Sequence, residues 1–334
     1  MKRYVLGIDG GGTKTRALIA DEAGNACGSG IGGPSNYDDV GTEKAKAGIA
    51  EAVQMACQQA SLPEEPFSSV FLGMAGVVSE QDRAAIYAIA RELRLAADED
   101  IDIDHDCRIA LAGGLSGRPG IVLIAGTGSS CYGRNSSEES WISGGWGHLI
   151  SDEGSSYWLG IQAMRSAAAS ADGRMHSILK ESVQDHFQLR EMRELMHRMY
   201  VIGMSRAEVA ALAPLVIDAA HQGDEVALEL LRQGASDLAQ MVGTVADKLS
   251  FNRGSCELAL VGGLLNAGDI VLSPLRTAVR NRLPRCQILL AELPPASGAA
   301  LLALQNLGIS LSGTQTIKLS PQESNSMNGE GVPS

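Results

Sequence analysis

Aromatic side chains are scarce, at 4% of residues. A core with so few rings must be built from small aliphatic side chains. Clustered basic residues are also missing: no run of Lys or Arg exceeds a pair, and the formal net charge is −12. Without a basic patch to neutralise phosphates, a nucleic-acid partner is excluded. No window of about 20 apolar residues occurs, so no membrane-spanning helix is expected. The apolar stretch in the opening MKRYVLGIDGGG is far too short for a signal sequence. The six cysteines (27, 57, 107, 131, 256 and 286) form no CxxC pair and lie far apart. That spacing excludes a disulfide framework and a zinc ligand set, and it fits a reducing, cytoplasmic setting.

What is abundant is glycine, with 39 in 334 residues against an ordinary share of ~7%. There is no Gly-X-Y period, so the excess is not collagen-like. The length suggests about two domains. Tyr4–Ile8 is a short apolar run, followed by Asp9-Gly10-Gly11-Gly12 and then by alternating residues to Ala20, a hairpin pattern. The pattern predicts a helix over 42–60 with Thr42 as its N-cap, a strand at 70–74, a capping box at Ser79–Asp82 and a helix running to about Leu95. A strand at 101–104 leads through Asp106 into a helical stretch over 107–112. A second strand–turn–strand unit starts at Gly120, and 144–154 is loop-like. A helix over 155–171 stops at Gly173. Residues 174–250 read as mostly helical, with a capping box at Ser205–Glu208. Strands at 257–261 and 287–290 precede a helix over 297–307. The Met-rich stretch 192–204 reads as a helical core face. After Gly313 the tail is polar and aperiodic, as in a disordered segment.

The segments YVLGIDGGGTKT and GIVLIAGTGSSC share one architecture, an apolar strand, a Gly/Thr turn and a polar start to a second strand. This predicts a duplicated α/β unit. The first turn is neither a P-loop nor a dinucleotide fingerprint. Thr13 intervenes before Lys14 where GK would be required, and Thr15 occupies the third glycine position. What remains is strand–Asp–Gly–Gly–Gly–Thr–strand. Asp9 at the strand end suits Mg²⁺ held through water, while turn amides and the Thr13 hydroxyl suit phosphate oxygens. A plain hairpin turn is the alternative.

GIDGGGT at 7–13, the strand-end Asp106, IAGTGS at 124–129, GGWGH at 144–148, SDEGS at 151–155 and LVGGL at 260–264 occur in one order. The set resembles the BadF/BadG/BcrA/BcrD-type ATPase family of the actin–hexokinase–Hsp70 superfamily, over about residues 4–308. Within it the set is most similar to the N-acetylglucosamine kinases of the animal type. The resemblance implies an α/β fold of two ribonuclease-H-like lobes with a cleft between them. The first lobe would span 1–112, rejoined by a helix at 297–308, and the second 113–296 with a helical insertion. It also implies ATP and Mg²⁺ as cofactors, an amino sugar phosphorylated at its 6-hydroxyl, cleft closure on sugar binding, and a homodimer. N-acetylglucosamine is the first choice of sugar, with glucosamine and N-acetylmuramic acid as alternatives. A more distant alternative is an ATPase activator of an iron–sulfur dehydratase, for which Cys107 and Cys131 are the nearest cysteines.

By the same resemblance, Asp106 is the general base, with Asp102 and Asp104 as neighbouring carboxylates and a helix N-cap as its other reading. Gly11, Gly12, Thr13 and Lys14 meet phosphate from one lobe, and Thr127 and Gly128 from the other. Gly262, Gly263 and Ala210 line the nucleoside, although the two glycines equally suit a strand-end turn. Asn36, Asp106, Gly145, Trp146, Gly147 and Asp152 meet the sugar, with the indole over its apolar face. Tyr37 stands where the animal proteins carry His. Trp141 and His148 are read as packing residues. Thirteen of the 39 glycines, including Gly7, Gly262 and Gly298, lie in these motifs and are assigned to close backbone approach to ligand, the rest to turns and helix stops.

Overall fold

A computed structural model describes residues 2–63, 66–251 and 254–311. The expected disordered tail therefore lies outside the described residues. The chain forms two compact units, one made of residues 1–117 with the segment from Leu293 onward, the other of Arg118–Glu292. Among the described residues no helix is long and apolar enough to cross a membrane.

The first unit begins with strands β1 (Tyr4–Gly10), β2 (Thr15–Asp21) and β3 (Ala26–Gly32). A short helix α1 (Tyr37–Val40) and the long α2 (Thr42–Ala60) follow, then β4 (Ser69–Met74), α3 (Glu80–Glu92), β5 (Ile101–His105) and α4 (Asp106–Gly114). The sheet order is β3-β2-β1-β4-β5. The first three strands are antiparallel neighbours, and β1, β4 and β5 run parallel. Alternating residues feed two cores, as period-2 side-chain geometry requires. Leu6, Ile8, Ile19, Val70 and Leu72 face the helices α2 and α3. Val5, Leu18 and Phe71 face the opposite way, toward α4 and the chain's return segment.

The second unit contains β6 (Gly120–Ala125), β7 (Ser129–Arg134) and β8 (Ser140–Gly144). Helices α5 (Ser156–Ala171), α6 (Leu179–His186), α7 (Glu194–His197), α8 (Arg206–Ala210), α9 (Ala213–His221) and α10 (Glu225–Lys248) precede β9 (Cys256–Val261), α11 (Asp269–Arg282) and β10 (Cys286–Leu290). Its sheet order, β10-β9-β6-β7-β8, repeats the first unit's topology: an antiparallel three-strand meander whose first strand continues into two parallel neighbours. The duplication expected from the two turn segments is thus present in the sheets. The final helix α12 (Pro295–Asn306) packs in the first unit.

Several local expectations need correction. Thr42 is not an N-cap: Gly41 holds that place and no side chain caps the helix. Asp106 is not an N-cap either. His105 is, its Nδ1 accepting the Arg108 N–H at 3.2 Å. The 192–204 stretch is only partly a core face. Met192 is buried, but Met196 and the residues Tyr200, Val201 and Ile202 of a π-helical turn are exposed. Strands β3 and β8 and helix α11 were not expected at all.

The glycines explain β3. A methyl placed on Gly28, Gly30 or Gly32 would overlap the backbone of α2 at Ala56, Ala52 and Gly48 respectively. Two strand residues advance about 6.7 Å and four helix residues about 6 Å. A glycine at every second strand position therefore meets successive helix turns, and α2 lies directly on β3. The same device seats α12. A methyl on Gly7 would overlap the backbone at Ala296 and Ala300, and one on Gly298 would overlap the Ile109 carbonyl and the Gly113 amide. Gly7 and Gly298 therefore serve helix packing and not ligand approach. Gly298→Ala should destabilise the protein by about 1–3 kcal/mol, read as a lower denaturant midpoint with unchanged slope. An unchanged midpoint would refute this close seating.

Candidate active site

The parallel strands of the first unit end together. Asp9 on β1 is in register with Gly73 on β4, and Gly73 with Asp104 on β5. Such carboxyl ends are where open α/β sheets bind ligands. Of the three carboxylates near the end of β5, two accept from N–H donors of the protein, while Asp106 takes only the weak Cys107 thiol donor at 3.5 Å among the bonds described. Asp102 is exposed, bonded to its own Ile103 amide and to Asn306. Asp104 accepts from Arg83 at 2.9 Å and from the His105 amide at 2.8 Å. Asp106 opens α4, where the helix dipole favours an anion, and its field reaches Asp9. The pKa of Asp9 is raised from 3.8 to about 6, first by burial, then by the Asp106 charge, against the opposing pull of Arg16 and Lys14. Arg16 Nη1 lies 3.9 Å from the Asp9 carboxylate. Two half-buried carboxylates in repulsion are a fitting seat for a divalent cation.

The glycine turn beside Asp9 is fastened on one side only. Its Gly11 N–H donates to the Lys14 carbonyl at 3.1 Å, and the Gly11 carbonyl accepts from the amides of Ser35 and Asn36. Buried Thr15 bonds the Gly33 carbonyl and the Ser35 hydroxyl, each at 2.7 Å. Gly12, Thr13 and Lys14 remain exposed. Asn36 donates through Nδ2 to Asp39 at 2.8 Å, while its Oδ1 is buried with no partner among the described residues. Tyr37 is turned to another use. Its hydroxyl donates to Asp82 of the α3 capping box, which pushes the phenol up to about 12 and the carboxyl down to about 2.

His105, Asp106 and Cys107 bring ligand-type atoms within 4.8 Å of one another. His105 Nδ1 is already the helix cap, and burial pushes this imidazole's pKa down. The trio is therefore a poor metal cage.

In the second unit the turn after β6 is held from two sides. The Gly126 and Thr127 carbonyls accept from the Ser156 and Tyr157 amides at the start of α5, at 2.9 and 3.2 Å. The Gly126 N–H goes to the Gly128 carbonyl, and the Ser129 N–H to Asp152 Oδ1 at 3.1 Å. The amides of Thr127 and Gly128 are left without an acceptor among the described residues. Asp152 is only 2% exposed, and its other oxygen takes Arg206 Nη2 at 2.8 Å. In this structure both of its oxygens are thus committed to the protein.

The loop before Asp152 hangs from the same point, because the Gly145 N–H donates to the Ser129 carbonyl at 3.0 Å. Gly145 and Gly147, both at positive φ, flank Trp146, whose side chain stands 73% exposed. Trp141 lies under the Lys248 ammonium, 4.6 Å from its ring centroid, and His148 packs edge-on to Tyr157. Gly263 is open, whereas a methyl on Gly262 would overlap the Ala125 backbone. Gly262 therefore serves strand packing, and it sets the turn after β9 beside the turn after β6. Ala210 ends α8 one helical turn beyond Arg206, on the same face.

The structure thus gathers Asp9, Gly11–Lys14, Asn36 and Asp106 in one unit, and Thr127, Gly128, Gly145–Gly147, Asp152 and Gly263 in the other. Arg206, Ser129, Thr15 and Ser35 were missed by the sequence reading. The only local signal for Arg206 is its place directly after the Ser205 cap.

The charge on Asp9 opposes folding, and the sign can be worked out. Its folded pKa lies above its unfolded one, so the native state holds the extra proton between about pH 4 and 6, and stability falls as pH rises through that window. The displacement is worth about 3 kcal/mol at most. In metal-free buffer at pH 7.5, Asp9→Asn should raise Tm by about 3 °C or more, with the gain vanishing at pH 4. A loss of Tm at pH 7.5 would refute the assignment.

The chain matches the family model of the BadF/BadG/BcrA/BcrD ATPase family over residues 6–303. It is 33% identical over 302 residues to an N-acetylmuramic acid/N-acetylglucosamine kinase of Clostridium acetobutylicum, covering 90% of this chain and 98% of that one. It is 32% identical to an N-acetyl-D-glucosamine kinase of Dictyostelium discoideum, covering 91% and 99%. A solved structure from Chromobacterium violaceum, assigned as an N-acetylglucosamine kinase, superposes with a TM-score of 0.76 at 30% identity, covering 91% of this chain and 99% of that one. Two sheets of one topology, an aspartate pair at the strand ends and this match along nearly the whole chain lead to one conclusion: the chain belongs to the BadF/BadG/BcrA/BcrD ATPase family.

Proposed function

We propose that this protein transfers the γ-phosphoryl group of ATP to the 6-hydroxyl of an amino sugar, N-acetylglucosamine first. The observation that carries this reading is the electrostatic pairing of Asp9 with Asp106 beside a tethered glycine turn. Two carboxylates with unequal environments suit a division of labour. Asp106 acts as general base: the sugar hydroxyl gives its proton to the carboxylate as its oxygen forms the bond to the γ-phosphorus, and the bond to the ADP oxygen breaks. Asp9 would hold Mg²⁺ through water, and the ion would supply charge neutralisation at the phosphate oxygens. Gly11, Gly12, Thr13 and Lys14, with the amides of Thr127 and Gly128, serve the phosphates. Gly263 and Ala210 serve the nucleoside.

For the sugar, the unpaired Oδ1 of Asn36 is an acceptor waiting for a hydroxyl donor, and exposed Trp146 offers a face for the apolar side of the ring. Asp152, with both oxygens engaged, supports the sugar loop and the phosphate turn. The names of the Clostridium and Dictyostelium relatives favour N-acetylglucosamine, and the Clostridium name makes N-acetylmuramic acid the second choice. An iron–sulfur activator is a poor fit. Cys107 and Cys131 are buried in separate units, whereas a cluster shared between subunits needs thiolates at the surface.

An ADP-release assay over N-acetylglucosamine, N-acetylmuramic acid, glucosamine and glucose tests this directly. N-acetylglucosamine should give the highest kcat/KM, and Asp106→Asn should lose about 10³-fold in kcat with ATP binding retained. Turnover kept by that variant would remove Asp106 from the chemistry. Because Asp9 takes up a proton near pH 6, the Mg²⁺ concentration for half-maximal rate should rise severalfold between pH 7.5 and 5.5. A pH-independent requirement would sever Asp9 from the metal.

A further inference from the structure

Asp152 is a carboxylate with almost no access to water, held at a positive φ of 69°. A buried charge is costly unless it is paired and hydrogen-bonded. Its charged partner is Arg206, from the first position of α8. That position is itself fixed. The capping box of Ser205 and Glu208 closes the start of α8, and α8 lies against α5 at Gly160, where a methyl would overlap the Val209 carbonyl. α5 is the helix whose first amides hold the Gly126 and Thr127 carbonyls. Both ends of the turn after β6 are therefore referred to one helix, directly on one side and through α8, Arg206 and Asp152 on the other.

Two further observations place the guanidinium at the turn. A methyl on Gly128 would overlap Arg206 Nη2 and come within 2.9 Å of both Asp152 oxygens, so the ion pair lies against the Gly128 backbone, and only glycine leaves room for it. Arg206 Nε is buried and has no partner among the described residues. The guanidinium is thus not saturated by the protein, and it adds positive charge beside the two open amides.

We infer that Arg206 is a positioning residue for the nucleotide's phosphates: through Asp152 and the Ser129 amide it fixes the direction in which the Thr127 and Gly128 amides point. This rests on the kinase reading, because it assumes that the turn meets phosphate. A buried carboxylate that loses its guanidinium turns toward water. That turn releases the Ser129 amide and lets the loop drift, and a drift of about 1 Å can cost on the order of 100-fold in such a site.

The test is a double-mutant cycle of Arg206→Met and Asp152→Asn, with steady-state kinetics for both substrates and calorimetric titration of a non-hydrolysable ATP analogue. Each single variant should raise the KM for ATP and weaken analogue binding by roughly 10–100-fold. The double variant should be no worse than the worse single one, since the two residues act in series. It also removes the buried charge together with its partner, so it folds even where Arg206→Met alone does not. Gly128→Ala, which displaces the guanidinium, should show the same loss of ATP-analogue binding. Additive losses, or a defect confined to the sugar KM, would overturn the proposal. A wild-type protein that phosphorylates none of the sugars would refute the kinase reading, while the calorimetric cycle would still decide whether Arg206 sets the turn.

Discussion

The first unit depends on one contact, the seating of α12 against β1 and α4 with almost no side chain between. Gly7 and Gly298 remove the atoms that would hold these backbones apart. β1 ends in Asp9, and α4 begins with Asp106. The helix that packs on both elements therefore sets the relation between the two carboxylates, and its close approach fixes the electrostatics of the site. Small residues along α12, mostly alanine, make the seating possible, and this is where a chain poor in aromatic rings finds its packing density.

From that geometry follows a site that is unfavourable when empty. Asp9, partly buried, feels the charge of Asp106, and Arg16 and Lys14 only partly offset the repulsion. Proteins commonly store such instability where a ligand relieves it. In the proposed reaction, a cation at Asp9 and a proton taken by Asp106 from a sugar hydroxyl would both lower the local negative charge. The second unit achieves its order differently. Its buried carboxylate is already paired, so there the charge builds a rigid turn and not a reactive one.

Much of this was legible in the sequence where the signal is local. Both strand–turn–strand units, the capping boxes at Ser79 and Ser205 and the strand-end aspartates depend on neighbours within a few residues. What was not legible depends on partners far along the chain. ACGSGIG has no apolar alternation, so β3 could not be read as a strand; its pattern makes sense only against the turns of α2. SWISG is too short and too exposed to announce β8. Pro274 within α11 and the glycine before it disguise that helix. Glycine itself carries two meanings, approach to a ligand and approach to a helix, and sequence alone does not separate them: Gly263 is open while its neighbour Gly262 lies against a strand. Arg206 escaped for the same reason, since its partner lies 54 residues earlier.

The second unit is one uninterrupted segment, Arg118–Glu292, set inside the first. On the ribosome, where domains fold as they emerge, the inner unit has its whole sequence before the outer one has its last helix. Until residues 293–304 leave the exit tunnel, the apolar face formed by Val5, Leu18 and Phe71 has only α4 to cover it. The nascent chain must therefore carry a half-finished first unit through the synthesis of the entire second one, and that interval is when a chaperone has the most to protect.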